Sequence, residues 1–287
     1  MTSTQRTDRR PVVVGVEGSS ANDALLWAAR IARARGAELD VVHAIGHPLT
    51  GYELTFDEAI EQSGKQLLAR EAARAETEAP GLTVRTEIDR DTPARSLTAR
   101  SKHAGLVVVG SHRLSAMERV LAGSLSYQVV AGSHCPVAVV PRLADAGADR
   151  VVVGADGSHD SVAAVAYGAA EADRLGLELH VVHSWEEPAL YLGMEYLAGG
   201  LEEQVVETER VVLSEAVAGV AERYPDLPVH QHLVEGRPAT VLLAAADRAA
   251  VLVVGSRGRQ GVARMLLGSV SHAVVLNAPC PVVVVRS

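Results

Sequence analysis

The sequence predicts an α/β fold in which two tandem copies each form a doubly wound, parallel five-stranded sheet. Runs of valine and leucine alternate with amphipathic helical stretches, which is the pattern of parallel sheets covered by helices on both faces. The whole series occurs twice, since VVVGVEGSS from Val12 returns as VVVGADGS from Val151 and SHCPVAVV from Ser133 returns as APCPVVVV from Ala278. Right-handed crossovers with the first and fourth strands adjacent give the strand order 3-2-1-4-5 in each copy.

The elements of the first copy follow from local signals. The apolar run from Val12 to Val16 predicts the first strand, and Ser19 and Ser20 are suitable N-caps for an amphipathic helix that ends before Gly36. The remaining elements expected in chain order are strand 39–44, helix 56–79, strand 83–88, a helix opened by Pro93, strand 106–109, helix 124–130 and strand 137–140. The second copy repeats this order, ends with strand 282–285, and carries about five extra residues between its second strand and its third helix.

The repeat also sets the domain boundaries. We expect a disordered tail over residues 1–10, a first domain over 11–142, a linker over 143–149 and a second domain over 150–287. With 287 residues and 48% hydrophobic content, the chain is long and apolar enough for two cores. Apolar runs fall short of the roughly 20 residues that a membrane span needs, and the start lacks the apolar segment of a signal peptide. We therefore expect a cytoplasmic protein with no membrane association.

Charge and cysteine content exclude other classes of protein. The net charge of −8 and the single phenylalanine argue against a nucleic-acid partner, which needs a basic surface and rings that stack on bases. Cys135 and Cys280 both precede Pro-Val at the start of a late strand, so we expect two equivalent, buried and inert thiols. Neither has neighbouring histidines or carboxylates at the spacing of metal ligands, so we predict no metal site of the protein's own.

A glycine series after one strand indicates a phosphate site. The buried-type strand 251–254 is followed by Gly255, two residues, Gly258, nine residues, and then Gly268 and Ser269 ahead of a helical stretch. Bare glycine backbone lets an anion approach the N–H groups, and the start of a helix adds a hydroxyl group and a partial positive charge. Glycines that only permit turns are the alternative interpretation of each position taken singly.

The spacing G-x2-G-x9-G-[ST] resembles the ATP-binding signature of the universal stress protein family, and the resemblance extends over nearly the whole chain as two copies. It implies a Rossmann-like fold of the adenine nucleotide alpha hydrolase type, with ATP, accompanied by Mg²⁺, as the ligand. The phosphates are expected on Gly255, Ser256, Gly258, Gly268, Ser269 and Val270. By resemblance alone, the adenine is expected on backbone groups at the end of the second strand, at His183 and Ser184 here and at His43 and Ala44 in the first copy. Since both histidines stand in apolar runs, a satisfied core histidine is the competing interpretation.

The first turn of the second copy contributes Asp156 and Gly157. It lacks the G-x-G-x-x-G pattern of dinucleotide sites and places a carboxylate where a pyrophosphate would lie. Asp156 is instead suited to accept hydrogen bonds from adenine or ribose, or to reach a bound metal ion directly or through water. An N-cap or turn role is the alternative.

The first copy departs from this pattern at two positions. Its candidate site residues are Glu17, Gly18, Ala44, Gly110, Arg113, Gly123, Ser124 and Leu125. Arg113 replaces the second glycine, and Glu17 replaces the aspartate. Because a side chain at 113 restricts φ and fills space beside the phosphates, we expect weaker binding there than in the second copy.

Three functions compete at this point. The first is an ATP-binding sensor or regulator in a stress response, which acts through nucleotide-dependent conformation or assembly. The second is a slow ATP hydrolase or nucleotidyl-transferring enzyme on the same fold. Against it, the sequence offers no Walker A lysine, no Ser-Gly-Gly-x-Asp-Ser loop and no evident base, so we assign no catalytic residues and expect at most weak ATPase activity. The third is a flavodoxin-like signalling domain without nucleotide, which leaves the glycine spacing unexplained.

Assembly is predicted from the two last strands, 136–141 and 281–286. In the order 3-2-1-4-5 each is an edge strand of valine and alanine, and an uncovered apolar edge favours aggregation. Single-domain members of the family pair their last strands across a two-fold axis, so the resemblance implies a pseudo-dimer of the two copies within one chain. We also expect a homodimer of such chains.

Overall fold

The computed structural model describes residues 9–18, 23–46, 54–111, 125–141, 148–186, 201–259 and 267–287. The chain divides into two compact units, Met1–Leu143 and Ala144–Ser287. Each unit is described by itself below. In the described part of the chain, no helix combines the length and the apolar character that crossing a membrane requires.

The first unit alternates strands and helices, as the sequence predicts. Its elements are β1 (Val12–Gly15), α1 (Asp23–Arg35), β2 (Leu39–Ala44), α2 (Leu54–Glu78), β3 (Val84–Asp89), α3 (Pro93–Arg100), β4 (Leu106–Gly110), α4 (Leu125–Gly132) and β5 (Val137–Val140). The proposed N-caps Ser19 and Ser20 lie outside the described residues.

The second unit repeats the series with one addition. Its elements are β6 (Arg150–Gly154), α5 (His159–Leu175), β7 (Glu178–Trp185), α6 (Leu201–Val217), α7 (Val220–Arg223), β8 (Val229–Glu235), α8 (Pro238–Ala245), β9 (Ala249–Gly255), α9 (Ser269–Asn277) and β10 (Val282–Val285). The sequence did not predict the short helix α7. It follows Gly219, whose left-handed conformation (φ 80°) separates it from α6, within the region where the second copy is longer.

Both units have the predicted parallel sheet. The strand order is β3-β2-β1-β4-β5 in the first unit and β8-β7-β6-β9-β10 in the second. Thus β1 pairs with β2 and β4, and β6 pairs with β7 and β9, all in parallel. The loops that follow β6 and β9 therefore leave the same edge of the sheet from neighbouring strands, which is where ligands bind in open α/β sheets.

The core of each sheet consists mainly of valine and leucine side chains. In β6 and β9, Val151 to Val153 and Val251 to Val254 are all buried, as expected for strands covered on both faces. α1 packs beside α2 and α3 beside α4, and α5 with α6 and α8 with α9 repeat this arrangement in the second unit. These rigid elements fix the ends of β6 and β9, so the loops between them and the next helices start from defined positions.

Candidate functional site

In the second unit, the loop after β6 is tied to the loop after β9 by the carboxylate of Asp156. Its Oδ1 accepts a hydrogen bond from the backbone N–H of Ser158 (2.9 Å), and its Oδ2 accepts one from the backbone N–H of Arg259 (3.1 Å). Arg259 lies 103 positions further along the chain. Asp156 therefore has the turn role that the sequence left as an alternative, and it also holds the glycine loop in place.

Two of the three glycines are required by close approach. A Cβ on Gly255 would lie 2.8 Å from the backbone carbonyl carbon of Asp160, at the start of α5. A Cβ on Gly258 would lie 2.5 Å from Oδ2 of Asp156, the oxygen that accepts the Arg259 bond. Contacts this short are not tolerated without displacement of the neighbour. The glycine series thus lets the loop after β9 lie directly against the loop after β6.

A second carboxylate, Asp160 at the start of α5, holds the same loop. The sequence analysis did not identify it. The residue is only 4% exposed. Its Oδ2 accepts bonds from Ser256 Oγ (2.6 Å) and the Arg257 backbone N–H (3.1 Å), and its Oδ1 accepts one from the Ser287 backbone N–H (3.1 Å). The first copy has Ala21 at the matching position, so a comparison of the copies would have singled out this acid.

Burial and hydrogen bonding act in opposite directions on these two acids. Burial raises the pKa of Asp156, but the hydrogen bonds from Ser158, Arg259 and Ser161 lower it, and the net shift is downward. For Asp160, burial likewise raises the pKa, but hydrogen bonds from Ser256 and Ser287 and the charge of Arg257 lower it by more. The net shift of the Asp160 pKa is again downward. Both carboxylates are therefore anionic at neutral pH and remain acceptors for the loop.

The third part of the predicted cradle is the start of α9. Gly268 is the N-cap residue, with an extended backbone, and its N–H donates to the Ser256 carbonyl at 2.8 Å. Ser271, buried in the first turn, donates its hydroxyl to the Gly255 carbonyl at 2.6 Å. Ser269 is exposed and Val270 is half-buried at the helix start. The N-terminus of α9 is thereby fixed beside the glycine loop, with its partial positive charge at the loop.

The histidine at the end of the second strand is a core residue. His183 is 3% exposed, its Nδ1 lies 2.6 Å from the Ala155 carbonyl oxygen, and its Nε2 lies 2.6 Å from Glu209 Oε2 on α6. Glu209 also accepts from both terminal nitrogens of Arg259 at 3.3 Å. Both ring nitrogens are engaged within the protein, which agrees with the satisfied-core interpretation of this side chain. The adenine assignment to the backbone of His183 and Ser184, the latter half-buried in β7, stays a prediction.

The glycine loop presents an exposed glycine and two exposed arginines at the surface of the second unit. Gly258, Arg257 and Arg259 are all exposed, and Gly157 beside them adopts a left-handed conformation (φ 78°) that favours glycine. A Cβ on Gly157 would also lie 2.9 Å from Val212 Cγ1. Arg257 and Arg259, whose side chains also pair with Asp160 and Glu209, thus lie at the surface beside a helix N-terminus, where an anionic ligand can reach them.

The described part of the first unit has a related framework. Its predicted residues Glu17 and Gly18 are exposed after β1, Ala44 is half-buried at the end of β2, and Gly110 and Leu125 lie at the end of β4 and the start of α4. The remaining predicted residues, Arg113, Gly123 and Ser124, lie outside the described residues.

Two contacts repeat between the units. His43 Nδ1 lies 2.9 Å from the Val16 carbonyl oxygen, as His183 does from that of Ala155. Ser126 donates to the Gly110 carbonyl at 3.3 Å, as Ser271 does to that of Gly255. The sequence repeat is therefore also a repeat of the contacts that hold the ends of the strands.

Comparison with known proteins gives one family. The model of the universal stress protein family matches residues 8–141 and again residues 147–286. A universal stress protein of Mycolicibacterium smegmatis is 38% identical over 287 aligned positions, with 96% of each chain covered. One of Mycobacterium tuberculosis is 39% identical over 291 positions, again with 96% of each chain covered. The crystal structure of a universal stress protein from Archaeoglobus fulgidus matches 98% of this chain and 97% of its own with a TM-score of 0.70, at 22% identity, which shows a shared fold.

Proposed function

This chain belongs to the universal stress protein family, and we propose that its second unit binds ATP, with Mg²⁺ on the phosphates, as a sensor or regulator in a stress response. The nucleotide changes the conformation or assembly of the protein, and turnover is at most slow. The proposal locates the phosphates at the loop between β9 and α9 and the adenosine beside the loop after β6. The cytoplasmic location and the homodimer stay predictions from the sequence.

The observation that supports this most is the construction of the glycine loop. The series Gly255, Gly258, Gly268 and Ser269 is complete in sequence, and the loop is held on two carboxylates, Asp156 and Asp160. Since contacts within the protein hold the loop, little ordering is needed when an anion binds, and preorganisation of this kind favours affinity. Gly258 and the arginines on either side of it are also exposed, so an anion can reach them.

Each part of the loop has a distinct proposed role. Backbone N–H groups at Gly258 and at the start of α9 donate to phosphate oxygens, and the Ser269 hydroxyl adds a further donor. Arg257 and Arg259 neutralise charge. Asp156, whose carboxylate accepts the backbone N–H groups of Ser158 and Arg259, is proposed also to accept a ribose hydroxyl or water around Mg²⁺. Bound Mg²⁺ would neutralise phosphate charge close to this carboxylate.

The two units are proposed to bind unequally. The second keeps the complete glycine series and an aspartate in the first turn, whereas the first has Arg113 and Glu17 at the matching positions. One nucleotide per chain is therefore expected when ATP is limiting, and a second at higher concentration.

Native mass spectrometry of the purified chain tests the proposal. The expected spectrum shows one bound ATP per chain at low nucleotide concentration, and the γ-phosphate stays intact over hours in the presence of Mg²⁺. Rapid conversion to bound ADP would favour the enzyme over the sensor. If no adenine nucleotide is retained at any concentration, the proposal is wrong.

A further inference from the structure

Outside the proposed nucleotide site, β7 and β8 of the second unit carry a cluster of three histidines and a glutamate, called here the histidine cluster. Its members are Glu178, His180, His230 and His232. Successive side chains of a strand point to opposite faces, so Glu178 shares a face with His180, and His230 with His232. β7 and β8 pair in parallel with His180 directly opposite His230, which brings the two pairs together.

The distances within the histidine cluster match those of ligands around a small metal ion. Oε2 of Glu178 lies 3.4 Å from Nε2 of His180 and 3.2 Å from Nε2 of His230. One ligand atom from each of the three residues lies within 4.8 Å of the other two. Two ligands bound tetrahedrally to zinc at about 2.0–2.1 Å are roughly 3.3 Å apart, which the two distances to Glu178 match.

His232 is placed to orient one of these ligands. Its Nε2 lies 3.0 Å from Nδ1 of His180, and the two rings are stacked with centroids 5.0 Å apart. Histidines that bind metal usually donate their second ring N–H to a neighbouring acceptor, which fixes the tautomer and the orientation of the ring. His180 has this arrangement, with Nε2 toward Glu178 and Nδ1 toward His232.

The site is open to solvent and adjoins a cavity. The side chains of Glu178 and His230 are about half exposed, at 53% and 47%, while that of His180 is 16% exposed. A cavity of about 460 Å³ borders the cluster and is lined by His180 and His232 together with Arg150 and Arg237. The charge of Arg150 is compensated by Asp149, whose Oδ1 lies 2.5 Å from its Nε.

In the first unit, the positions that match the histidine cluster carry other charged residues. The matching residues are Glu38, Asp40, Arg85 and Glu87, with Asp40 paired to Arg85 as His180 is to His230. There the guanidinium group of Arg85 lies 2.9 Å from the Glu38 carboxylate. A permanent cation is thus built into the first unit. In the second unit its place is taken by a residue that binds metal ions when neutral.

We propose that the histidine cluster binds one divalent transition metal ion, Zn²⁺ being the best fit, through Glu178, His180 and His230. His232 is the positioning residue behind His180. Imidazole and carboxylate ligands suit zinc, and three protein ligands leave a fourth position for water or a small anionic ligand from the cavity. The histidine cluster lies outside the glycine loop, so zinc binding can be tested without nucleotide.

The test is calorimetric titration of zinc chloride into the untagged, metal-free full chain. We expect one saturable equivalent per chain and a zinc-dependent rise in melting temperature. His230→Arg, which introduces the residue of the first unit, and His180→Ala should each weaken zinc binding at least about tenfold. His103→Gln, at an exposed histidine of the first unit, is the matched control and should bind zinc as the parent does.

Two replacements separate a positioning role of His232 from direct ligation. His232→Ala should weaken zinc binding about 10- to 100-fold, and His232→Gln, whose amide oxygen can accept from the ring N–H of His180 but is a poor zinc ligand, should restore most of the affinity. Circular dichroism of each variant confirms that the chain is folded. The proposal is overturned if the folded parent shows no saturable zinc binding, if His230→Arg binds as tightly as the parent, or if the His103 control loses as much affinity as the cluster variants.

Discussion

Replacement of Asp160 by asparagine should loosen the glycine loop and lower the stability of the second unit, although the side chain keeps its shape. In the parent, Oδ2 accepts from Ser256 Oγ and the Arg257 N–H, and Oδ1 accepts from the Ser287 N–H. Asparagine offers one oxygen and one NH₂ group. A serine hydroxyl can turn to accept from that NH₂, but a backbone N–H cannot, so either Arg257 or Ser287 loses its acceptor.

The size of the effect follows from these contacts. Ser287 is exposed, so its backbone N–H can bond to water instead. The NH₂ group of the asparagine at 160 is therefore expected to point toward Ser287. The oxygen then keeps Ser256 and Arg257 but without its charge, and Arg257 Nε, 3.6 Å away, loses its ion-pair partner. Hydrogen bonds to a charged group contribute about 1.5–3 kcal/mol, against about 0.5–1.5 kcal/mol for neutral pairs. A loss of about 2 kcal/mol is therefore expected.

The assay uses the distribution of tryptophan in the chain. The two tryptophans are Trp27 in α1 and Trp185 in β7, so a Trp27→Phe background leaves fluorescence that reports on the second unit alone. Urea unfolding at pH 7 gives the free energy from the midpoint and slope. Asp173→Asn, at an exposed position of the same helix, is the control and should change stability by less than about 0.5 kcal/mol. If Asp160→Asn unfolds at the same urea concentration as the control, Asp160 does not anchor the loop.

Three further predictions concern a carboxylate, a thiol and the first nucleotide site. Burial raises the pKa of Asp89, but hydrogen bonds from Asp91, Ser96 and Arg100 lower it to about 2, from 3.8. Because the folded-state value is the lower one, this carboxylate stabilises the fold above about pH 4. The difference in urea midpoint between parent and Asp89→Asn should shrink as the pH falls toward 2, and a pH-independent difference would contradict this. Burial raises the pKa of the Cys280 thiol to about 12, so iodoacetamide at pH 8 should label it only after unfolding, and labelling of the native chain at the rate of a free thiol would contradict this. Finally, Arg113→Gly should strengthen ATP binding at the weaker calorimetric site, and unchanged affinity would show that this side chain does not limit binding.

The fold could be predicted from the sequence because local pattern and repeat agree. Valine-rich strands, alternating helices and two matched copies leave few topologies that satisfy right-handed crossovers. The observed strand order confirms this prediction. The exception is α7, which lies in the longer part of the second copy and has no counterpart to predict it from.

The site could be predicted only in part because its contacts join distant parts of the chain. The positions of Gly255 and Gly258 follow from spacing, but the reason for them, contact with Asp160 and Asp156, depends on how two loops meet. Ser256 and Asp160 are 96 positions apart, and no periodicity links them. The histidine cluster is similar, since each strand shows its own alternation but only the pairing of β7 with β8 brings His180 opposite His230.

The central claim is that the glycine loop of the second unit binds ATP, and calorimetric titration of Gly258→Val tests it most directly. A side chain at 258 would meet Asp156 Oδ2 at 2.5 Å and cover backbone that is proposed to face the phosphates. Ala166→Val, on an exposed face of α5, introduces the same side chain away from the loop and serves as the control. We predict that the parent and Ala166→Val bind ATP at the tighter site with equal affinity, and that folded Gly258→Val binds there at least about tenfold more weakly, a loss of roughly 1.4 kcal/mol or more. Equal affinity in all three proteins would contradict the account.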